Sequence, residues 1–220
     1  MDGLAGTAGK VSDASVTGNN LVEMGSPIAA TSFIPPQING AYSSNNFVNN
    51  YLKSSSNFAL NTSGFTIEGW VNWEGHTPNA GPLFLIPYID GQWLLPDPRA
   101  YGNYLRFDND TTVEFGLDDS SATSHGVAWT ISSITDTNWH YVAVTWDGTN
   151  AVLYIDGVSQ GAQNMAFPLL NLSNPLYMFD YPPADVPAPS FINGSMDEWR
   201  ISNIARSAAE ISGYYQQSGI

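Results

Sequence analysis

An enzyme that cuts a glycosidic bond needs two carboxylates flanking that bond, and a strand supplies them on one face only by alternation. No Glu-x-Asp-x-Glu alternation occurs in this chain, and Asp197 and Glu198 are adjacent, so on a strand they point to opposite faces. His76, His125 and His140 stand singly, without the spacing of metal ligands, and read as structural. Loop aromatics offer a different chemistry, because a ring face packs on the C–H face of a pyranose. Residues 74–104 interleave Phe84, Tyr88, Trp93, Tyr101 and Tyr104 with Pro78, Pro82, Pro87, Pro96 and Pro98. Tyr88, Trp93 and Tyr101 in that stretch, with Tyr181 on the Pro-stiffened stretch 180–189, are the candidate sugar-stacking residues. The same rings serve as plugs of a core rim or as contacts for a neighbouring subunit.

Charge narrows the partners. Six Lys+Arg against 20 Asp+Glu give a net charge of −14, which repels nucleic acid and anionic membrane surfaces. The acidity keeps the chain soluble, or it holds divalent cations. Asp108-Asn109-Asp110 and Asp118-Asp119 are acidic turn tips that suit either calcium or simple Asx hydrogen bonding. The absence of Cys removes disulfide frameworks and thiolate metal sites. No apolar stretch reaches the length needed to span a bilayer.

These side chains must be held by strands. Trp139 to Trp146 and Ala151 to Ile155 are apolar runs rich in β-branched and aromatic residues, each followed by Asp-Gly. Asp-Gly accepts positive φ at both central positions of a tight hairpin turn, so the segment is a three-strand meander. In its first strand Tyr141, Ala143 and Thr145 share one face; His140, Val142, Val144 and Trp146 share the other. Phe65 to Trp73 alternates with Phe65, Ile67, Val71 and Trp73 on one face, and Glu68 beside Trp70 on the other as a hydrogen-bonded, partly buried carboxylate. Leu83 to Ile86, Leu105 to Phe107, Thr112 to Leu117, Val127 to Ile131, Met165 to Leu172 and Leu176 to Phe179 complete the expected strands. Ser207-Ala208-Ala209-Glu210 is a capping box that starts a helix, and Gly213 is expected to end it.

Three stretches, in order, resemble the laminin-G-like domains of the concanavalin A-like lectin/glucanase superfamily: Phe65-Thr66-Ile67-Glu68-Gly69-Trp70-Val71, the meander from Trp139 to Val158, and Phe191 to Ile201 with Ala205 to Ile211 after it. The resemblance covers roughly residues 58–212. It implies an all-β, two-sheet antiparallel jelly-roll sandwich with a short C-terminal helix, and leaves function open, since that fold hosts lectins, hydrolases and plain adhesion modules. It also points to Asp197 near the closing strand as a ligand of a structural calcium, with backbone oxygens supplying the rest.

Residues 1–36 form an N-terminal arm before a domain at 37–220. The arm is rich in Gly, Ala, Ser, Thr and Asn, has Phe33 as its one aromatic, and ends in Pro35-Pro36. Such a segment is ordered only against its own sandwich or a neighbouring chain. The start lacks the basic and apolar regions of a secretory signal, at odds with the extracellular setting that the resemblance suggests. A subunit of a phage or virus particle, made in the cytoplasm and acting outside, reconciles the two, as does a trimmed chain. The expectation is therefore a non-enzymatic structural or accessory virion subunit, in a homo-oligomer or larger protein assembly. The alternative is a carbohydrate-binding or adhesion module at the cell surface.

Overall fold

In the computed structural model, strands run in the order β1 (Lys10–Val11), β2 (Leu21–Met24), β3 (Ala30–Thr31), β4 (Ala41–Ser44), β5 (Tyr51–Phe58), β6 (Phe65–His76), β7 (Pro82–Pro87) and β8 (Gly102–Asn109). They continue as β9 (Thr112–Asp118), β10 (Ser124–Thr130), β11 (Trp139–Trp146), β12 (Asn150–Ile155), β13 (Val158–Asn164), β14 (Asn174–Met178) and β15 (Ile192–Ser202), followed by helix α1 (Ala208–Gln217). The structure describes residues 10–11, 21–24, 30–31, 41–44, 51–76, 82–88, 102–132, 134, 136, 138–179 and 192–217. Among these, one sheet has the order β1-β2-β5-β14-β7-β8-β9-β10 and the other β13-β12-β11-β6-β15-β4-β3, antiparallel throughout.

Both Asp-Gly dipeptides mark reversals, but only the second is the expected turn with positive φ at both residues; at the first, Gly148 alone takes positive φ (90°). Asp156 and Gly157 both take positive φ (52° and 75°) between the paired Ile155 and Val158, the type I′ geometry. Asp147 accepts the N–H of Thr149 and of Asn150 at 2.9 and 2.7 Å, an Asx turn. Alternation also holds. Phe65, Ile67, Val71 and Trp73 meet Val142, Val144 and Trp146 between the sheets, while Trp70, Tyr141 and Ala143 face outward beneath α1 with Ile211. At roughly 1.5–3 kcal/mol per fully buried large side chain, this two-faced burial is the main force holding the central strands together.

Helix α1 starts at the expected capping box. Ser207 N–H donates to Glu210 Oε2 at 2.8 Å, and Glu210 N–H donates back to Ser207 Oγ at 3.3 Å. It does not stop at Gly213. Tyr214 and Tyr215, the next two residues, pack on Tyr141 and Trp70 with ring centroids 5.7 and 5.8 Å apart. That contact outweighs the roughly 1 kcal/mol cost of a helical glycine. Burial, the first cause, pushes the Tyr214 hydroxyl up to about 12, and it donates to Glu198 Oε2 at 2.9 Å.

Under α1 lies the buried ion pair that fastens the closing strand. Glu68 is wholly buried; it accepts from Tyr141 Oη at 2.6 Å and from Arg200 at 2.9 Å, with Arg206 Nε 3.3 Å away. The Arg200 guanidinium lies 3.3 Å from the Tyr214 ring centroid, a stacked cation–π contact.

One expectation fails here. Met165 to Leu172 is not a strand: its one ladder contact is an isolated bridge between Leu169 and Asp119, because Pro168 has no N–H to offer. The N-terminal segment takes one of the two courses the sequence left it. Its described strands pair within the chain's own sheets, β1 on β2, β2 on β5 and β3 on β4. Among the described residues, no helix is long and apolar enough to cross a membrane.

Candidate functional site

The two sheets each end in an exposed strand on the same side of the sandwich, β10 in one and β13 in the other. Side chains bridge these edges midway. Trp129 Nε1–H donates to Gly161 O at 2.9 Å, and Gln163 Nε2–H donates to Ala128 O at 3.4 Å. Further along the edges part, and an open cleft of about 430 Å³ forms, lined by Ser124 to Val127 of β10 and by Asn164 to Phe167. Met165, 2% exposed, is its apolar floor. Phe167 stands against Trp146 on one side and carries the His125 ring on the other, stacked at 4.3 Å and 21°.

His125 is held from behind. Its Nε2 is 2.8 Å from Asp119 Oδ2, while Asp119 Oδ1 accepts the N–H of Ser121 and Thr123 at 2.8 and 3.0 Å. The bond from His125 is the first cause holding the Asp119 carboxyl below the usual range. The cleft therefore offers a fixed, flat polar surface.

Of the sequence candidates, Tyr88 lies on the same end of the sandwich. Pro87, Gly102, Asp118 and Ser124 form one row across β7, β8, β9 and β10. At about 4.8 Å per strand, Tyr88 follows the first of them roughly 14 Å from the cleft. Tyr88 is half-buried against the core, its carbonyl accepting from Asn174 Nδ2 at 3.0 Å. Trp93, Tyr101 and Tyr181 lie outside the described residues. The flanks of the Tyr181 stretch are described: Phe179 N–H donates to Pro82 O, and Ile192 N–H to Phe179 O, at 3.0 Å each. They sit at the far end of β7 from Tyr88.

Asp197 is 7% exposed on β15, opposite Trp70, and its Oδ1 accepts Glu198 N–H at 2.8 Å. Calcium wants six or more oxygens. Strand β15 is paired on both sides, and among the described residues no group of three His, Cys, Asp or Glu stands close enough to hold an ion. Of the acidic tips, Asp118 is wholly buried and accepts Gly102 N–H at 2.7 Å, and Asn109 accepts Thr111 N–H at 3.0 Å.

No Gly-x-Ser-x-Gly elbow is expected from the sequence, yet the pattern itself is present. Gly157-Val158-Ser159-Gln160-Gly161 spells Gly-x-Ser-x-Gly, which activates serine only at a sharp turn from strand to helix. Here it runs from a hairpin turn into β13, where Ser159 pairs with Tyr154 and its Oγ accepts Gly161 N–H at 3.1 Å. Among the described residues no histidine bonds it.

His140 is structural. Nδ1 is 2.8 Å from Asp156 and Nε2 is 3.0 Å from Asp136, clamping the second Asp-Gly turn onto β11. The Asp156 bond, the largest cause, raises its proton affinity above the ordinary 6.5, against the opposing effect of burial. A raised value stabilises the fold fully below the unfolded value and is lost as pH rises through the folded one. The urea midpoint is expected to fall on raising the pH from about 6 to 9, and His140→Gln to flatten that slope. An unchanged slope in His140→Gln would remove the clamp.

The cleft residues went unrecognised in the sequence because they come from two sheets. Nothing in local spacing joins His125 to Phe167 or Asn164.

With this geometry in place, the chain's relationships are clear. The family model Laminin_G_3, of the concanavalin A-like lectin/glucanases superfamily, matches residues 45–212, and the chain belongs to that family. No curated protein matches it in sequence. Among solved structures it is similar to the botulinum neurotoxin serotype G binding domain (TM-score 0.70, 18% identity, 94% of this chain and 48% of that one). It is also similar to a structure of botulinum neurotoxin type C, a toxin whose cell entry is dependent upon interaction with two ganglioside molecules (0.68, 13%, 96% and 49%). A third is the binding domain of Paraclostridial Mosquitocidal Protein 1 (0.64, 14%, 94% and 49%). The chain spans about half the length of each. At these identities the likeness is one of fold: a lectin-like jelly roll shared with toxin receptor-binding domains.

Proposed function

We propose that this domain is a non-catalytic carbohydrate-binding or adhesion module of a surface or extracellular protein, and that it holds its glycan in the cleft between β10 and β13. The observation that carries the reading is the cleft itself: a polar wall of Ser124, His125 and Asn164 beside a stacked aromatic pair, over an apolar floor. That combination fits a sugar, whose ring has an apolar face and a hydroxyl rim. Membership of a lectin superfamily supports it. A virion subunit is the less supported reading, since the described strands of the N-terminal arm pair within the chain's own sheets.

Glycan-array screening of the purified domain tests the reading. Wild type is expected to bind a defined glycan set, and Asn164→Ala and Phe167→Ala to weaken it about tenfold or more while unfolding cooperatively. Binding that survives both substitutions would move the site to the rim around Tyr88. No glycan binding at all would sink the reading.

A further inference from the structure

His125 has one ring nitrogen committed and one open. An ionised carboxylate only accepts hydrogen bonds, so the neutral imidazole facing Asp119 must carry its proton on Nε2. Nδ1 is then a lone-pair acceptor, and among the described residues it has no hydrogen-bond partner. The ring is 40% exposed, lines the cleft, and is backed by Phe167, so this acceptor belongs to the site's working surface.

Cations are the second observation. Among the described residues, no Lys or Arg lines the cleft. The four Lys and Arg side chains that are described are engaged elsewhere: Lys53 over Tyr177, Arg106 on Glu114, Arg200 and Arg206 on Glu68. The nearest fixed charge is the Asp119 carboxylate, and the chain as a whole is strongly acidic.

We propose that the cleft selects neutral saccharides over acidic ones, and that Asp119 sets this selectivity by fixing the His125 tautomer. The inference rests on the glycan-binding reading above. A neutral sugar hydroxyl donates to Nδ1. A carboxylate, sulfate or phosphate oxygen has no proton to give, meets a lone pair, and is repelled by Asp119 without a compensating cation.

The test compares a neutral glycan from the array with its sialylated or sulfated derivative, by titration calorimetry at about pH 8, above the ordinary histidine range. Wild type is expected to prefer the neutral form by about tenfold, the size of one unit charge at a few ångström in a partly solvated site. Asp119→Asn keeps an oxygen for the Ser121 and Thr123 N–H groups but turns an amide donor toward Nε2. The ring proton then moves to Nδ1 and the charge is gone. That preference should largely disappear, and the imidazole nitrogen NMR shifts of His125 should report the exchanged tautomer. If Asp119→Asn does not fold, His125→Phe keeps the stack and removes the acceptor, and should weaken the neutral glycan about tenfold. Cleft-dependent binding of the acidic form as tight as the neutral one overturns the inference and leaves the glycan-binding reading standing. So does an Asp119→Asn protein with unchanged preference, or a His125→Phe protein that binds the neutral glycan normally. Absence of all glycan binding overturns both together.

Discussion

Glu68→Ala is expected to lower the unfolding free energy by about 3–5 kcal/mol, as removal of one partner from a buried ion pair does elsewhere. Glu68 has no exposed surface, and three donors converge on it: the Tyr141 hydroxyl and the guanidinium groups of Arg200 and Arg206. Alanine strands all three. The arginines keep some access to water at 28% exposed each, but Tyr141 is wholly buried between Trp70 and Tyr214 and cannot recover its bond there. Burial pushes the Tyr141 hydroxyl far up, with the neighbouring Glu68 charge adding to it, so ionisation offers no escape. Arg200→Ala should cost less than Glu68→Ala, because Arg206 still faces the carboxylate. Urea unfolding followed by tryptophan fluorescence measures both. A Glu68→Ala loss under about 1 kcal/mol would mean that the pair does not fasten β15 and α1 to β6.

Gly194→Ala is the second large effect, expected at about 3 kcal/mol. Gly194 takes φ +146° near the start of β15, and a Cβ built there would stand 2.1 Å from the Asn72 carbonyl oxygen. That oxygen is backbone in the adjoining strand, so nothing light can move aside. Gly161 is the natural control. It also has positive φ, +103°, on the edge strand β13, but a Cβ there meets nothing within 4 Å. Gly161→Ala therefore bears the conformational strain alone, about 1 kcal/mol. Denaturant midpoints of the two variants separate strain from collision. Equal losses would show that the close approach of β15 to β6 yields easily.

These two residues also show what the sequence made legible. The alternation from Phe65 to Trp73 placed Glu68 and Trp70 on one face correctly, and the Asp-Gly dipeptides placed both meander turns, because those signals are local. The depth of Glu68 was not legible. Its partners lie 132 and 138 residues further along the chain, and only the pairing of β15 on β6 brings them in. Gly213 misled because helix ends obey tertiary packing when two tyrosines beyond the glycine have a pocket to fill. Met165 to Leu172 has strand-like composition, but Pro168 interrupts the ladder and the segment forms a wall of the cleft instead. The cleft itself arises where two sheet edges diverge, a relation that no spacing along one strand encodes. The sugar-stacking candidates came from composition; of these the structure positions Tyr88 alone, half-buried at the end of the sandwich that carries the cleft.

The order of strands in the seven-stranded sheet has a kinetic consequence. Strand β6 lies between β11 and β15, and β15 is the last strand of the chain, so one of its two neighbours is supplied more than 100 residues after it. During synthesis β6 and β11 can pair as soon as both have emerged, but the inner flank of β6 stays open until β15 arrives. Pairings this distant along the chain have a large loop-closure cost before any contact rewards them, which places the domain among the slow folders. Until then an apolar strand edge bearing Ile67, Val71 and Trp73 is bare, so nascent chains stalled before β15 are the species most prone to stick to one another.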